Sequence, residues 1–182
     1  IFLAGGVLES CLVEGNHCDT GRGSGIEIAS PSVVVRNCTV VKNYGATGGI
    51  YFTKAALASG CPEIVNCVFD GNYTNAVENV CNWFAESGYN AENLAASFAG
   101  CAFTTGTLPS ATGSILVAEP GFAEDGSYQL VRESALCNKG VWQSWMPGAT
   151  DLYGNPRVNV AKKVDIGCSE MPWKPLFIIF IR

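Results

Sequence analysis

The pattern of apolar and polar positions repeats along the first hundred residues. One six-residue unit carries an apolar residue three positions before a cysteine and Val or Phe two positions after it. The unit occurs at residues 8–13, 35–40, 64–69 and 98–103, and its cysteines are Cys11, Cys38, Cys67 and Cys101. The spacings between these cysteines are 27, 29 and 34 residues. A unit that recurs in this way indicates a repeat architecture in which each copy packs on the next.

The two apolar positions of the unit are five residues apart, so on one straight strand their side chains would point to opposite faces. A corner between them allows both to be buried. Asn and Gly enter the left-handed backbone conformation at least cost. The residue directly before each cysteine is Ser10, Asn37, Asn66 or Gly100. Each copy therefore predicts a strand, a one-residue corner and a second strand.

A glycine turn followed by a β-favouring run comes after two of the copies, at residues 23–28 and 47–52, with a weaker third copy at 75–77. Two or three short strands in each repeat, without helical periodicity between them, are typical of one coil of a parallel β-solenoid. We therefore predict an all-β fold, a parallel β-helix of about four coils over residues 1–106. An antiparallel β-sandwich also has short strands and Gly-rich turns, but it gives no reason for the recurring unit.

Stacked coils place equivalent side chains in vertical contact, at the ordinary strand spacing of about 4.8 Å. We expect the four cysteines to form one ladder of small buried side chains rather than disulfides or metal ligands, because thiols in a line do not form a tetrahedron. Stacked amides can donate and accept along the axis. We therefore expect a second, polar ladder of Asn16, Asn43 and Asn72. Two Asn-x-Thr sequons, at Asn37 and Asn72, fall on corner and ladder positions and are interpreted as structural.

A different series of motifs follows the repeats, at residues 119–122, 126–130, 134–140, 151–157 and 164–170. The last two read Asp-Leu-Tyr-Gly-Asn-Pro-Arg and Val-Asp-Ile-Gly-Cys-Ser-Glu. With the repeats before it, this series resembles the C-terminal region of bacterial right-handed β-helix surface proteins of the pectate-lyase-like superfamily. The resemblance covers roughly residues 1–170. It implies a right-handed, single-stranded parallel β-helix that is secreted or lies on the bacterial outer surface.

We expect residues 107–170 to form an irregular C-terminal β cap, because the end of a β-helix exposes unpaired strand edges and apolar side chains unless it is covered. Asp151 and Arg157 are expected to pair locally within this cap. Its predicted buried positions are Tyr128, Leu130, Val164 and Ile166.

Residues 171–182 form a hydrophobic C-terminal tail. Its apolar run, at residues 176–181, is far shorter than the roughly 20 residues of a membrane helix, so no membrane span is predicted. Two interpretations stay open for the tail: a final strand packed on the cap, or an anchoring or sorting remnant.

Composition narrows the classes of function. Only 15% of the residues are charged, and 21 are glycine, which suits short strands joined by tight turns. The net charge of -5 and the scattered basic residues argue against a nucleic-acid partner, which needs a concentrated basic stripe.

The sequence begins at Ile1 and shows no export signal, so we expect a fragment or a processed product. Neither a cofactor nor a metal site is expected.

The longest spacing between repeats, from Cys67 to Cys101, contains the candidate ligand-binding residues. An insertion that projects from a rigid solenoid is a common place for ligand contacts, and aromatic rings can stack on sugars. The alternative is that these aromatic side chains fold back and cover the flank of the helix. The candidates for binding a polysaccharide or a host or cell-surface glycan are Tyr73, Trp83, Phe84 and Tyr89.

The sequence identifies no catalytic residue. Glu14 and Asp70 occupy the same position of units two coils apart, about 10 Å, which would fit an inverting carboxylate pair, but we interpret them as part of a solvated face. His17, the only histidine, is expected to face solvent. The sequence thus predicts a non-catalytic module for adhesion, carbohydrate binding or spacing. The alternative is the C-terminal part of a polysaccharide lyase or glycoside hydrolase whose catalytic coils lie upstream.

Overall fold

The computed structural model describes residues 1–19, 22–74, 80–89, 94, 97–105, 113–159 and 161–172. Short strands in the first hundred residues wind into successive coils. The first coil contains β1 (Phe2–Leu3), β2 (Gly6–Glu9), β3 (Leu12–Glu14) and β4 (His17–Cys18). The second contains β5 (Ile26–Ile28), β6 (Val33–Arg36), β7 (Thr39–Val41) and β8 (Tyr44–Gly45). The third contains β9 (Ile50–Phe52), the one-turn helix α1 (Lys54–Leu57), β10 (Glu63–Val65), β11 (Val68–Asp70) and β12 (Tyr73–Thr74). Then follow β13 (Trp83–Ala85), β14 (Phe98–Ala99), β15 (Ala102–Phe103) and β16 (Ile115–Leu116).

Four sheets run along the stack, one on each side of a coil. Sheet A joins β1, β5, β9 and β13, sheet B joins β2, β6, β10 and β14, sheet C joins β3, β7, β11, β15 and β16, and sheet D joins β4, β8 and β12. Neighbouring strands pair in parallel, and equivalent positions of the repeat are in register: Leu8 pairs with Val35, Val35 with Ile64, and Ile64 with Phe98. The predicted parallel β-helix is therefore confirmed.

The corner between sheets B and C has the backbone conformation that the sequence predicts. The residues directly before the four repeat cysteines have φ values of 53° (Ser10), 51° (Asn37), 53° (Asn66) and 58° (Gly100). A second left-handed corner, which the sequence analysis did not identify, follows the strands of sheet C at Gly15, Lys42 and Gly71. Together these corners turn the chain sharply enough to enclose a narrow core.

The core inside the coils is built from alternate side chains of the strands. Phe52, Phe69, Phe98 and Phe103 are among its largest members, and Phe69 stacks on Phe103 with ring centroids 5.1 Å apart. Among the residues that the structure describes, every buried member of this core lies between residues 13 and 103. Over this part of the chain, the coils bury their interior without side chains of the flanking residues that follow.

Close contact between coils depends on glycine at the entrance to sheet A. A Cβ at Gly25 would lie 2.4 Å from the carbonyl oxygen of Gly49, and one at Gly49 would lie 2.4 Å from that of Asn82. The strand that follows β5 and β9 in sheet A is β13, because Trp83 pairs with Ile50. The sequence predicts a third copy at residues 75–77, which lie outside the described residues.

Residues 120–172, which we call the flanking segment, contact the side of the stack along the corner between sheets B and C. The backbone N–H and C=O of Val141 bond to the side chain of Asn66, at 2.7 and 2.9 Å. The backbone N–H of Cys168 donates to Thr39 Oγ1 at 3.0 Å. The flanking segment therefore contacts several coils along their side, and the predicted cap over residues 107–170 stays a prediction.

The left-handed corners explain why the flanking segment lies there. They leave backbone carbonyl groups of the corner residues outside the ladder between coils, and such groups need partners when they are buried. The N–H of Gly167 donates to the carbonyl oxygen of Asn66 at 2.8 Å, and Arg157 Nη2 donates to that of Asn37 at 3.4 Å.

A second apolar core forms between the outer face of sheet C and the flanking segment. Val68 and Ala102 of sheet C pack there against Val117, Leu130, Leu136 and Ile166. The four positions predicted to be buried are confirmed: Tyr128, Leu130, Val164 and Ile166 are each at most 5% exposed. The tail at residues 173–182 lies outside the described residues, so neither interpretation of it is tested.

Candidate functional site

The asparagine side chains form a continuous hydrogen-bonded column along the axis. Asn16 Nδ2 donates to Asn43 Oδ1 at 2.8 Å, and Asn43 Nδ2 donates to Asn72 Oδ1 at 2.9 Å. The column continues from Asn72 to Asn82 at 3.0 Å and from Asn82 to the carbonyl oxygen of Thr105 at 2.9 Å. Asn82 is not predicted from the repeat, because it follows Asn72 by only ten residues instead of a full coil.

The repeat cysteines also lie one above another, inside the corner between sheets B and C. Each buried thiol contacts a carbonyl oxygen of the preceding coil: Cys38 to Leu8 at 3.6 Å, Cys67 to Val35 at 3.6 Å, and Cys101 to Ile64 at 3.4 Å. Burial, and next the contact with Cys101, raise the pKa of the Cys67 thiol well above its ordinary value. All nine cysteines fall within the described residues and are free thiols. The repeat thiols therefore fill the interior and are unsuited to act as nucleophiles.

Three of the four aromatic candidates surround one pocket at the last strand of sheet A. The pocket has a volume of about 500 Å³, and Trp83, Phe84 and Tyr89 line it together with the polar residues Asn82, Ser87 and Thr105. Trp83 and Tyr89 also pack on the interior core, so they form the inner wall of the pocket. Phe84 points outward and is 46% exposed. Aromatic rings beside a few polar groups are the usual lining of a small-molecule site.

The outer side of the pocket is held in place by a charged contact. Phe84 stacks on Tyr51, with ring centroids 5.9 Å apart, and the Arg22 guanidinium lies 5.6 Å from the centroid of the Tyr51 ring. Arg22 Nη1 pairs with Glu86 Oε1 at 3.1 Å. Glu86 Oε2 in turn accepts a hydrogen bond from the backbone N–H of Lys54 at 2.7 Å. These contacts fix the ring of Phe84 before any ligand arrives.

The fourth candidate, Tyr73, lies on a different side of the coils. It stacks on Tyr44 with ring centroids 5.4 Å apart, and Tyr44 stacks on His17 at 4.2 Å. These three rings form a column on sheet D. The structure therefore does not bring Tyr73 into the pocket. Among the described residues, the ring of His17 contacts Tyr44 and the carboxylate of Asp19, and His17 is exposed.

Glu14 and Asp70 are on the outer face of sheet C, and both pair with Val41 in the ladder. Glu14 Oε1 accepts a hydrogen bond from the Tyr128 hydroxyl at 2.6 Å. Asp70 Oδ1 accepts one from Thr104 Oγ1 at 2.7 Å. Each carboxylate therefore has a structural partner, which favours their interpretation as part of the protein surface.

The closing motifs form a buried polar network that fastens the flanking segment. Arg157 Nη1 donates to Glu170 Oε1 at 2.9 Å, and its Nη2 donates to Ser10 Oγ at 2.9 Å. Arg157 is therefore paired with Glu170, and the expected pair with Asp151 is wrong. Asp151 instead accepts from the backbone N–H groups of Tyr153, Asn155 and Glu170, at 2.8, 2.7 and 2.7 Å. A short acidic side chain that closes turns in this way has no oxygen left for Arg157.

Burial and neighbouring negative charges raise the pKa values of the acidic residues in this network. Burial, and next the carboxylate of Asp165, raise the pKa of Glu170 to about 8. Burial also raises the pKa of Asp165, whose two oxygens accept from the backbone N–H groups of Asn138 at 2.6 Å and Met171 at 2.6 Å. Backbone N–H groups and the Arg157 guanidinium bond to the carboxylate oxygens of Asp165 and Glu170. The network is therefore suited to hold the flanking segment in place.

Neither a cluster of metal-ligating side chains nor a membrane-spanning helix is present among the described residues. Within them, no three His, Cys, Asp or Glu side chains are grouped so that they could hold a metal ion. Across the same residues, no helix has both the length and the apolar character needed to cross a membrane.

Comparison with known proteins addresses the coils. A search of curated proteins and a search of solved structures found no match to this chain. The family model described as the right handed beta helix region matches residues 6–91. The matched residues include the strands from β2 to β13, and the aromatic residues of the pocket at Trp83, Phe84 and Tyr89. Over this part of its length, the chain is similar to right-handed β-helix proteins.

Proposed function

We propose that the chain is a non-catalytic module of a secreted or cell-surface protein and that it binds carbohydrate in the aromatic pocket. The observation that carries the proposal is the grouping of Trp83, Phe84 and Tyr89 around a pocket of about 500 Å³. The apolar face of a sugar ring can stack on aromatic rings, while its hydroxyl groups bond to nearby polar side chains. Asn82, Ser87 and Thr105 supply such groups at the same pocket.

The placement of Phe84 supports a role in contact with ligand. Its ring points outward and is half-exposed, because Tyr51 covers only one of its two faces. An exposed aromatic ring that neighbouring side chains hold in position loses little conformational freedom when a ligand binds. The resemblance to bacterial β-helix surface proteins supports the location outside the cell and the polysaccharide as ligand class.

The test is a screen of the protein against soluble polysaccharides by affinity gel electrophoresis, with neutral glucans, mannans, xylans and galactans and with acidic polysaccharides. We expect retardation by at least one of them. Phe84→Ala should weaken that binding about tenfold, the equivalent of ~1.4 kcal/mol, because the stacking face is lost. Phe2→Ala is the matched control, since Phe2 lies in the same outward column of sheet A and is also exposed.

Two results would contradict the proposal. Equal binding by the Phe84→Ala variant and the wild type would remove the pocket from the account. Release of new reducing or unsaturated chain ends by this protein would contradict a non-catalytic role and favour the lyase or hydrolase alternative.

A further inference from the structure

A second aromatic surface lies on the outer face of sheet B, where the flanking segment crosses it. Residues 141–145 run from the corner at Asn66, where Val141 is bound, across the strands of sheet B. The indole of Trp145 covers the guanidinium of Arg36, whose Cζ lies 3.7 Å from the ring centroid. Trp142, in the same segment, is 44% exposed.

The polar groups around these rings are held in place by one another. Arg36 pairs with Glu9 through Nε at 2.8 Å. Gln143 accepts a hydrogen bond from Trp145 Nε1 at 2.7 Å and donates through Nε2 to Glu63 Oε1 at 2.9 Å. A site whose polar side chains are already fixed loses less entropy when it binds a ligand.

Several groups on this surface still have unused hydrogen-bonding capacity. In the part of the chain that the structure describes, no hydrogen bond involves Trp142 Nε1, Arg36 Nη1, the second carboxylate oxygen of Glu63, or Glu9 Oε1. Glu9 and Arg36 are paired in the ladder of neighbouring coils, and Glu63 is in the next coil. Glu63 lies opposite Val34, two residues before Arg36, so these acceptors and donors are spread over three neighbouring coils.

We propose that Trp142, Trp145, Glu63, Arg36 and Glu9 form a second saccharide-binding surface, separate from the pocket on sheet A. A neutral sugar ring stacks on the exposed face of Trp142, and its hydroxyl groups bond to the carboxylates and the guanidinium. The inference extends the proposed carbohydrate-binding function to a second face, and it rests on that function for its ligand class. Two faces on one rigid stack allow one long polysaccharide, or two chains, to be held with greater avidity than either face alone provides.

The test uses indole ¹⁵N–¹H spectra of the full chain, in which each of the four tryptophans gives its own signal. The signals are assigned by replacing each Trp with Phe in turn. The probes are neutral gluco-, manno-, xylo- and galacto-oligosaccharides. The expected result is that at least one of them shifts the Trp142 and Trp145 signals. Trp142→Ala should then weaken this binding about tenfold, the equivalent of ~1.4 kcal/mol.

Leu152→Ala is the matched control, because Leu152 is as exposed as Trp142, at 45% against 44%, and belongs to the same segment. It should leave the binding unchanged. The proposal is overturned if no probe shifts the Trp142 and Trp145 signals, or if Trp142→Ala binds as the wild type does.

The same spectra separate the two binding proposals. A shift of the Trp83 signal alone supports the pocket on sheet A and overturns the second surface. Shifts of Trp142 and Trp145 without Trp83 support the second surface and count against the pocket. Shifts at both places support both.

Discussion

The coils and the flanking segment differ in which partner each needs for its apolar core. In the described part of the chain, the core of the coils is formed by residues of the coils themselves, from Val13 to Phe103. The core of the flanking segment is completed by Val68 and Ala102, which belong to sheet C. The dependence runs in one direction: the coils provide the surface on which the flanking segment folds, and they enclose their own interior without it.

The two regions also satisfy their buried polar groups in different ways. In the coils, parallel ladders and the asparagine column pair each coil with the next. In the flanking segment, a few side chains bond to the backbone of irregular loops, and Arg157 alone reaches Gly167, Cys168, Glu170, Ser10 and Asn37. A repeated ladder distributes stability over many equivalent bonds, whereas the network concentrates it in single residues.

The largest effect is expected from breaking the network at its centre. Arg157→Ala should lower the free energy of unfolding by about 3–5 kcal/mol, because Glu170 and several carbonyl groups lose a buried partner. Urea denaturation followed by circular dichroism measures the change. Arg132→Ala is the control, since Arg132 is exposed and forms no ion pair among the described residues. A loss below 1 kcal/mol for Arg157→Ala would show that the network does not fasten the segment.

A smaller effect is expected within the asparagine column, and it should depend on position. Asn43→Ala leaves the buried amide of Asn72 and the carbonyl oxygens of Val13 and Val41 without their partner, which should cost about 2–3 kcal/mol. Asn16→Ala, at the partly exposed end, should cost about 1 kcal/mol or less, because water can replace the lost bonds. Equal losses at the two positions, measured by urea denaturation, would contradict a column that is buried at Asn43 and open to water at Asn16.

Another effect concerns pH. The pKa of Glu170 is raised to about 8 in the folded chain, above its ordinary value of 4.5, so the folded state binds more protons than the unfolded state between these values. The contribution of Glu170 is fully present below pH 4.5 and is lost as pH rises through about 8. Between pH 5 and pH 9, the wild type should lose more stability than Glu170→Gln, whose side chain does not titrate in this range. Parallel pH profiles of the two proteins, from urea denaturation, would contradict this assignment.

The sequence was sufficient to predict the coils because their side chains repeat. Equivalent residues such as Val35 and Ile64 had to lie in register once one coil packed on another, and Asn37 and Asn66 marked the corner. The strand at Trp83 was missed because it lacks the glycine turn that precedes the strands at Ile26 and Ile50.

Contacts made once in the molecule were harder to predict. Nothing in the spacing of Arg157 and Glu170 shows that Arg157 reaches back to Ser10, 147 residues earlier, because such a pair depends on how the flanking segment lies on the coils. For the same reason, the sequence indicated the aromatic residues between Cys67 and Cys101 but did not separate Tyr73 from the three that line the pocket. It also gave no sign of the surface around Trp142, whose polar groups come from three coils and the flanking segment.

Hydrogen exchange followed by mass spectrometry, at increasing urea concentrations below the main transition, tests the one-way dependence most directly. If the coils enclose their own core, peptides from residues 120–172 should lose protection first, while peptides that contain β6, β7, β10 and β11 stay protected. Arg157→Ala should widen this gap, since it releases the flanking segment and leaves the interior of the coils intact. Loss of protection in both regions at the same urea concentration, or in the coils first, would contradict the account.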